Sequence, residues 1–187
     1  MKGAHAFMNE KDIRVQKTNL KLSEVFLALL EDEWVTKITI NQICQQANVH
    51  RTTFYKHFKD KYDLLYYVSQ MALKPYFSLG LDMRLQEPFN SIDRTIDQQI
   101  LKILHTQKED PRFYQVVTKS FYDYFQQELI RYEAQLPSKF PFPIEVFSYV
   151  YAATIRSINQ WCTDYEIQLD AYYRDEIFRH LMNFSQK

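Results

Sequence analysis

The segment spanning residues 38–61 constrains the fold more than any other part of this 187-residue chain. Its apolar residues Ile40, Ile43, Cys44 and Ala47 recur at positions i, i+3, i+4 and i+7. This spacing places them on one side of an α-helix. The pattern therefore predicts a short helix that packs its apolar side against a core.

Both ends of this helix carry recognisable signals. Thr39 with Gln42 three residues later has the pattern of a capping box, in which hydroxyl and amide satisfy backbone donors at the helix start. Asn48 tolerates turn and left-handed conformations, and Val49 is then free to pack between the helices. We therefore expect a tight turn directly after the helix.

A second short helix is predicted from Arg51 to Phe58. Phe54 and Phe58 lie four residues apart and therefore share one face. The other face carries side chains that can donate hydrogen bonds: Arg51, Thr52, Thr53, Tyr55, Lys56 and His57. Two short helices joined by a tight turn, the second with a polar outer face, form a helix-turn-helix that presents its second helix to the DNA major groove.

Residues 53–61 read TFYKHFKDK and resemble the signature of the TetR/AcrR family of bacterial one-component repressors, T-hydrophobic-Y-x-H-F followed by K-x-K. The resemblance covers about the first third of the chain, from near Lys17 to near Leu65. Asn48 stands where the family usually has Gly, and the turn is expected to survive because Asn is the next best residue there. His50 stands where a Ser commonly caps the recognition helix, so that helix start is expected to fray or to be completed by a DNA phosphate.

The resemblance also implies roles for single residues. Tyr55 and Lys61 would hold DNA phosphates, and Arg51, Thr52 and Thr53 would approach base edges. The full predicted DNA-binding set is Thr39, Asn41, Arg51, Thr52, Thr53, Tyr55, Lys56, His57 and Lys61.

Thr39 and Asn41 would reach phosphates from the other side of the groove. For His57, closing the small three-helix core is an equally good interpretation. No nucleophile or carboxylate lies at a spacing that would make His57 a catalytic base, so we expect no enzymatic activity.

Composition predicts an all-α fold. The chain has two Gly and six Pro, and no sustained alternation of apolar and polar residues supports a sheet. No apolar run would span a bilayer, and the first residues lack the hydrophobic stretch of a signal peptide, so we expect no membrane partner and a cytoplasmic protein. Cys44 and Cys162 have no neighbouring metal ligands, which predicts reduced thiols and no metal or cofactor.

The charges are unevenly distributed. Through Lys61 the chain has ten Lys and Arg against seven Asp and Glu, and the remainder has thirteen against sixteen. Because the first part is mildly basic, we expect it to be the part that binds DNA.

The sequence predicts three parts: a flexible arm at 1–13, a helix-turn-helix domain at 14–65 and a helical ligand-binding and dimerisation domain at 66–187. In the last part, helix four would run from Lys61 to about Arg84 with a kink at Pro75. Further helices are predicted at Ile92–Gln107, Arg112–Gln135 (whole or divided in two), Ile144–Thr163 and Leu169–Phe184. This layout resembles the regulatory half of TetR-type proteins, and residues 156–161 resemble a C-terminal type common in Firmicutes regulators.

Residues 66–187 are predicted to form a ligand pocket and a dimer interface. Its many aromatic residues favour a pocket for an aromatic or amphipathic small molecule, although ordinary core packing remains an open interpretation. The pocket prediction names Phe113, Tyr114, Phe121, Tyr122, Phe147 and Tyr151. The last two helices would form a four-helix dimer interface through Ala152, Ile155, Tyr173, Ile177 and Leu181.

Together these patterns predict a DNA-binding transcriptional regulator. The expectation is a repressor that binds a palindromic operator as a homodimer and is released by a small-molecule effector. The alternatives are a helical protein-interaction module and a regulator that no small ligand controls.

Overall fold

The computed structural model describes residues 10–132 and 143–182. Within these ranges the chain forms ten helices and no strand, which confirms the all-α prediction. The helices are α1 Glu10–Leu30, α2 Ile40–Gln46, α3 Arg51–His57, α4 Lys61–Ser78, α5 Leu81–Gln86, α6 Pro88–Asp93, α7 Gln98–Thr106, α8 Pro111–Tyr132, α9 Ile144–Asp164 and α10 Ala171–Leu181. None of the helices in these ranges has an apolar stretch long enough to cross a membrane.

The chain divides into two compact units. The first, here called the head, comprises Met1–Val68 and Lys102–Tyr114, and the second, the bundle, comprises Ser69–Leu101 and Gln115–Lys187. The sequence predicted a head of residues 14–65 and did not predict the contribution of Lys102–Tyr114. Helix α1 begins at Glu10, within the stretch predicted as an arm, and residues 1–9 lie outside the described residues.

The head is held together by apolar side chains from its first three helices. Leu22 and Phe26 of α1, Ile43 of α2 and Phe54 of α3 are each 0% exposed. Burying one such side chain stabilises a fold by about 1.5–3 kcal/mol. The helix-turn-helix is therefore fixed to α1 by a shared core.

The bundle has an aromatic core. Tyr151 of α9, Phe125 of α8, Phe89 of α6 and Phe178 of α10 are fully buried and belong to one cluster. The rings of Phe125 and Tyr151 lie 4.6 Å apart between centroids. Such contacts add to the stability that burial alone provides.

Two predicted helix bounds in the bundle were wrong. Helix α4 contains Pro75 but ends at Ser78 instead of continuing to Arg84, and α5 begins at Leu81, with Gly80 at its N-cap position. The predicted helix from Ile92 to Gln107 is divided, because α6 ends at Asp93 and α7 begins at Gln98. Asp97 accepts a hydrogen bond from the amide of Ile100 at 2.9 Å, which caps the start of α7.

The later helices agree with the prediction more closely. Helix α8 is continuous from Pro111 to Tyr132, and the predicted end at Gln135 lies outside the described residues. Helix α9 begins at the predicted Ile144. Asp170 caps α10 by accepting from the amide of Tyr173, so this helix starts two residues after the predicted Leu169, and its predicted end at Phe184 is not described.

Candidate nucleic-acid interface

The start of α2 has the predicted capping box. The amide of Gln42 donates to Thr39 Oγ1 at 3.2 Å, and the amide of Thr39 donates to Gln42 Oε1 at 2.7 Å. After α2 the backbone reverses at Asn48, whose φ of 50° lies in the left-handed region. The amide of Val49 closes this turn by donating to the carbonyl of Cys44. Both the cap and the turn confirm the sequence prediction.

The thiol of Cys44 faces the core beneath this turn and is 4% exposed. Burial raises its pKa, with a smaller opposing effect of the positive charge of Arg51. A raised pKa keeps the thiol protonated and makes it a poor nucleophile. This agrees with the prediction of a reduced core thiol.

Helix α3 buries one face and exposes the other. Phe54 is fully buried, Phe58 directly after the helix is 5% exposed, and their ring centroids lie 5.8 Å apart. His50 at the N-cap position provides no side-chain hydrogen bond to the helix. The expected weak cap is confirmed, and the first backbone amides of α3 lack a side-chain acceptor at that position.

The outer face of α3 carries Arg51, Thr52, Tyr55 and Lys56, all of them exposed. Arg51 donates a hydrogen bond from Nη2 to the Tyr55 hydroxyl at 3.2 Å, and its guanidinium carbon lies 5.8 Å from the Tyr55 ring centroid. The two residues are one helical turn apart, which makes this contact possible. Arg51 and Tyr55 therefore form a pair on the surface, and the Tyr55 O–H can still donate to an incoming acceptor.

The other predicted DNA-binding residues differ in position. Thr39 and Asn41 at the start of α2 are exposed, and Thr53 is partly buried. His57 is also partly buried, and its Nδ1 lies 2.7 Å from Asn19 Oδ1 of α1. Among the two interpretations of His57, this contact favours the one in which the imidazole fixes α3 against α1.

Lys61 has partners that the sequence did not predict. Its ammonium donates to the carbonyl oxygens of Thr36 at 2.9 Å and Ile38 at 2.6 Å. Burial lowers the pKa of Lys61, although Asp110, Asp60 and Glu33 oppose this effect. Two of the three ammonium hydrogens therefore bind backbone carbonyls, and the phosphate contact that the resemblance implies would use the third.

The turn from α3 into α4 is fixed by two carboxylates. Asp60 Oδ1 accepts from the amides of Tyr62 at 2.7 Å and Asp63 at 2.9 Å, and Asp63 accepts from the amide of Lys59 at 3.0 Å. This is an N-cap with a reciprocal contact three residues later. It orients Lys61 toward the carbonyls just described.

The six aromatic residues predicted to line one pocket do not share one compact unit. Phe113 and Tyr114 belong to the head, whereas Phe121, Tyr122, Phe147 and Tyr151 belong to the bundle. Tyr151 is fully buried and donates to the carbonyl of Arg84 at 2.5 Å. The pocket prediction therefore needs correction, because Phe147 and Tyr151 fill the core of the bundle by packing against neighbouring rings.

The bundle does contain a cleft of about 440 Å³. It is lined by Gln70, Phe77, Tyr124, Gln127, Glu128, Arg131 and Tyr132. The rings of Phe77 and Tyr124 stack with centroids 4.1 Å apart. Glu128 also forms a buried ion pair with Arg84, with oxygen–nitrogen distances of 2.7 and 2.5 Å. This cleft therefore combines aromatic surface with polar groups, and the sequence did not single it out.

The predicted dimer residues also divide into two groups. Ile155 is 8% exposed, and Ala152 and Ile177 are partly buried, so Ile155 and Ile177 pack into the core of their own chain. Tyr173 and Leu181 are 58% and 65% exposed. The large exposed apolar residues of α9 and α10 are Val146, Tyr149, Val150, Trp161, Tyr172, Tyr173 and Leu181. The prediction placed the two isoleucines on the wrong side because both faces of these helices are apolar.

Comparison with known proteins identifies the helix-turn-helix. Residues 28–68 match the family model described as "Bacterial regulatory proteins, tetR family". An HTH-type transcriptional regulator of Staphylococcus aureus MRSA252 is 27% identical over 131 residues, which cover 64% of this chain and 71% of that protein. An HTH-type transcriptional regulator of S. aureus USA300 is 40% identical over 53 residues, and this match spans 28% of this chain and 29% of that protein.

Solved structures share the fold along nearly the whole chain. A TetR transcriptional regulator from Streptococcus agalactiae 2603V superimposes with a TM-score of 0.60 at 20% identity, covering 91% of this chain and 96% of that one. NalD, the secondary repressor of the MexAB-OprM multidrug efflux pump in Pseudomonas aeruginosa, gives a TM-score of 0.52 at 19% identity, covering 89% and 96%. The helix-turn-helix of residues 28–68 is therefore of the tetR family type, and the chain resembles TetR-type transcriptional regulators in fold along most of its length.

Proposed function

We propose that this regulator is a repressor, that it binds a palindromic operator as a homodimer, and that a small molecule bound by the bundle releases it. The observation that carries the DNA-binding part is the outer face of α3. Arg51, Thr52, Tyr55 and Lys56 are exposed there, while Phe54 on the opposite face is buried. A helix of this kind fits a major groove, with polar side chains toward the DNA and an apolar face toward its own domain.

The residues divide between base and phosphate contacts by their chemistry. Arg51 can donate two parallel hydrogen bonds to a guanine, and Thr52 offers a hydroxyl or a methyl group to a base edge. Tyr55 and Lys56 reach phosphates, and Asn41 reaches them from the start of α2. The contact between Arg51 and Tyr55 would hold the guanidinium in place until it meets a base.

The homodimer is supported by the exposed apolar residues of α9 and α10. Tyr149, Tyr172 and Leu181 are 56%, 65% and 65% exposed, and Val146 and Val150 add exposed apolar area on α9. Two such helices from each chain would pack as four helices around a two-fold axis. A two-fold protein presents two identical recognition helices, which explains why we propose a palindromic site.

The first experiment is a footprint of the purified protein on the DNA upstream of its own gene, followed by fluorescence anisotropy with the protected fragment. We expect protection with two-fold symmetry. Arg51→Ala should weaken operator binding by on the order of 1–3 kcal/mol and relax the preference at one base position. Lys74→Ala removes one positive charge from an exposed position in the bundle and serves as the matched control, which should bind like the wild type.

The cleft in the bundle supports release of the DNA by a ligand. Its stacked pair Phe77 and Tyr124 suits an aromatic ring, and Gln127 and Arg131 can hydrogen-bond to polar groups of the same molecule. Compounds that bind the cleft should raise the thermal midpoint of the protein and also lower its operator affinity. If the compound and the DNA favour different conformations, each weakens the binding of the other by the same factor.

A regulator that no small ligand controls is the second candidate. It is favoured by the packing of the bundle core, where Tyr151 is fully buried and its hydroxyl lies 2.8 Å from that of Tyr76. A screen in which compounds stabilise the protein and leave operator affinity unchanged would support this alternative and contradict release by a ligand.

A further inference from the structure

We propose that the segment Lys102–Asp110 contributes to operator binding by the head. In this segment Gln107 and Asp110 are positioning residues for α2. The two residues, here called the latch, hold residues 31–38, here called the α1–α2 loop. This inference rests on the operator binding proposed above and adds residues far from the helix-turn-helix in sequence. The matched family model ends at residue 68, before the latch.

Gln107 is 0% exposed and uses its whole amide group. Its Oε1 accepts from the amide of Val35 at 2.9 Å, and its Nε2 donates to the carbonyls of Leu30 at 2.8 Å and Glu33 at 2.7 Å. The Leu30 carbonyl is at the end of α1, where helix carbonyls lack partners within the helix. The Gln107 side chain therefore satisfies three backbone groups at the point where the chain leaves α1.

Asp110 is also 0% exposed and joins two elements. Its Oδ2 accepts from the amide of Thr36 at 3.1 Å and from Thr36 Oγ1 at 2.8 Å. Its Oδ1 accepts from the amides of Arg112 at 3.0 Å and Phe113 at 3.2 Å, which caps the start of α8. One carboxylate therefore fixes both the start of α8 and the α1–α2 loop.

The α1–α2 loop transmits this constraint to α2. Lys61 holds the carbonyls of Thr36 and Ile38 from a different side, and Val35 and Ile38 are fully buried. Thr39, which caps α2, follows Ile38 directly. The position of the α2 cap is therefore set by contacts from Gln107, Asp110 and Lys61.

Loss of the latch should reduce DNA affinity without removing a DNA contact. Buried backbone groups that lose their partners favour conformations in which water can reach them. Only the fraction of molecules with α2 in its binding position then competes for the operator, and the apparent affinity falls by that fraction. The effect is one of positioning, because neither Gln107 nor Asp110 needs to touch DNA.

Thr36 provides the test, because its side chain is exposed and its substitution should leave the fold intact. Thr36→Val keeps the shape and removes the Oγ1 donor to Asp110, whereas Thr36→Ser keeps the donor. We expect Thr36→Val to weaken operator binding by up to about fivefold, the limit set by one hydrogen bond, and Thr36→Ser to bind like the wild type. Equal affinities of the Val and Ser variants would overturn the proposal.

A double-mutant cycle separates the latch from a direct phosphate contact of Thr36. If Thr36 acts through Asp110, adding Asp110→Asn to Thr36→Val should weaken binding by less than the product of the two single effects. Independent, multiplicative effects would overturn the proposal. Tyr151→Phe removes a buried hydroxyl from the bundle and is the control for general destabilisation, expected to change the thermal midpoint and leave operator affinity within about twofold.

Two further arms keep the result unambiguous. If Asp110→Asn does not fold, the comparison of Thr36→Val with Thr36→Ser decides. Amide hydrogen exchange in the DNA-free protein is then the second measurement. Thr36→Val should speed the exchange of residues 35–42, and Thr36→Ser should not. Unchanged exchange would overturn the latch. If the wild type and Arg51→Ala bind the chosen DNA equally weakly, the proposed operator fails, and the exchange measurement still tests the latch.

Discussion

Lys61 shows how one side chain can have a role that its position in a motif does not reveal. Resemblance predicted a phosphate contact, yet its ammonium binds the carbonyls of Thr36 and Ile38 in the free protein. Lys56, five residues earlier, is exposed on the outer face of α3. The two lysines are therefore a natural pair for separating stability from DNA contact.

We expect Lys61→Met to lower the free energy of unfolding by about 1–2 kcal/mol, because charge-assisted hydrogen bonds to two backbone carbonyls are lost. Lys56→Met should leave stability nearly unchanged and reduce the salt dependence of DNA binding by about one contact. Urea unfolding and titrations at several salt concentrations check both variants. A Lys61→Met protein of wild-type stability would contradict the structural role.

Asp110 should make the head sensitive to acid. Burial alone raises the pKa of this carboxyl, but hydrogen bonds from Thr36 and from the amides of Phe113 and Arg112 together outweigh it, and the pKa lies below its ordinary value of 3.8. A depressed pKa in the folded state contributes stability above the ordinary pKa and loses it as pH falls through the folded pKa. The relevant window therefore extends downward from pH 3.8.

Urea unfolding from about pH 2 to pH 6 tests this sign. Stability of the wild type should fall more steeply than that of Asp110→Asn as pH decreases below the ordinary carboxyl pKa. Asp175 is a useful contrast, because burial raises its pKa despite hydrogen bonds from the amides of Phe89 and Asn90. Asp175→Asn should therefore steepen the loss of stability toward low pH, the reverse of Asp110→Asn.

At the scale of elements, the turn between α2 and α3 depends on one backbone angle. Asn48 has a φ of 50°, which Gly adopts without strain and which most other residues adopt at a cost of about 1–2 kcal/mol. We expect Asn48→Gly to match or slightly exceed the wild type in thermal stability and Asn48→Ala to lower it by about 1 kcal/mol. Equal stability of the Ala and Gly variants would show that the turn relaxes to another conformation.

Local signals made these elements predictable. The capping box at Thr39, the turn at Asn48 and the buried pair Phe54 and Phe58 act between residues a few positions apart, so the sequence displays them directly. The outer face of α3 followed from the same periodicity.

Other features depend on contacts between distant residues. Lys61 binds carbonyls more than twenty positions earlier, and Gln107 binds Val35 across 72 positions, so no local pattern marks either contact. On α9 and α10 both faces are apolar, and periodicity alone did not separate Ile155 in the core from the exposed Tyr149. The early end of α4 lies beside Gly80, and α7 begins after the capping residue Asp97, two local signals that the predicted helices ran through.

At the scale of the whole molecule, one negative charge introduced on α9 tests the proposed dimer. Val150 is 48% exposed on α9, so Val150→Glu should leave the fold intact and place a carboxylate in the proposed interface. Light scattering at micromolar concentration should give a dimer for the wild type and a monomer for this variant. Leu20→Glu, at a residue of α1 that is 49% exposed, is the control and should remain dimeric.

The two chain segments of the head limit how freely such a regulator can be recombined. A chimera that joins residues 1–68 to the C-terminal part of another protein would carry Thr36 and Val35 without Gln107 and Asp110. Transplanting Lys102–Tyr114 together with the first segment would preserve those partners. The natural unit of exchange in this protein is therefore defined by hydrogen bonding in space, and a single crossover after the helix-turn-helix would cut through it.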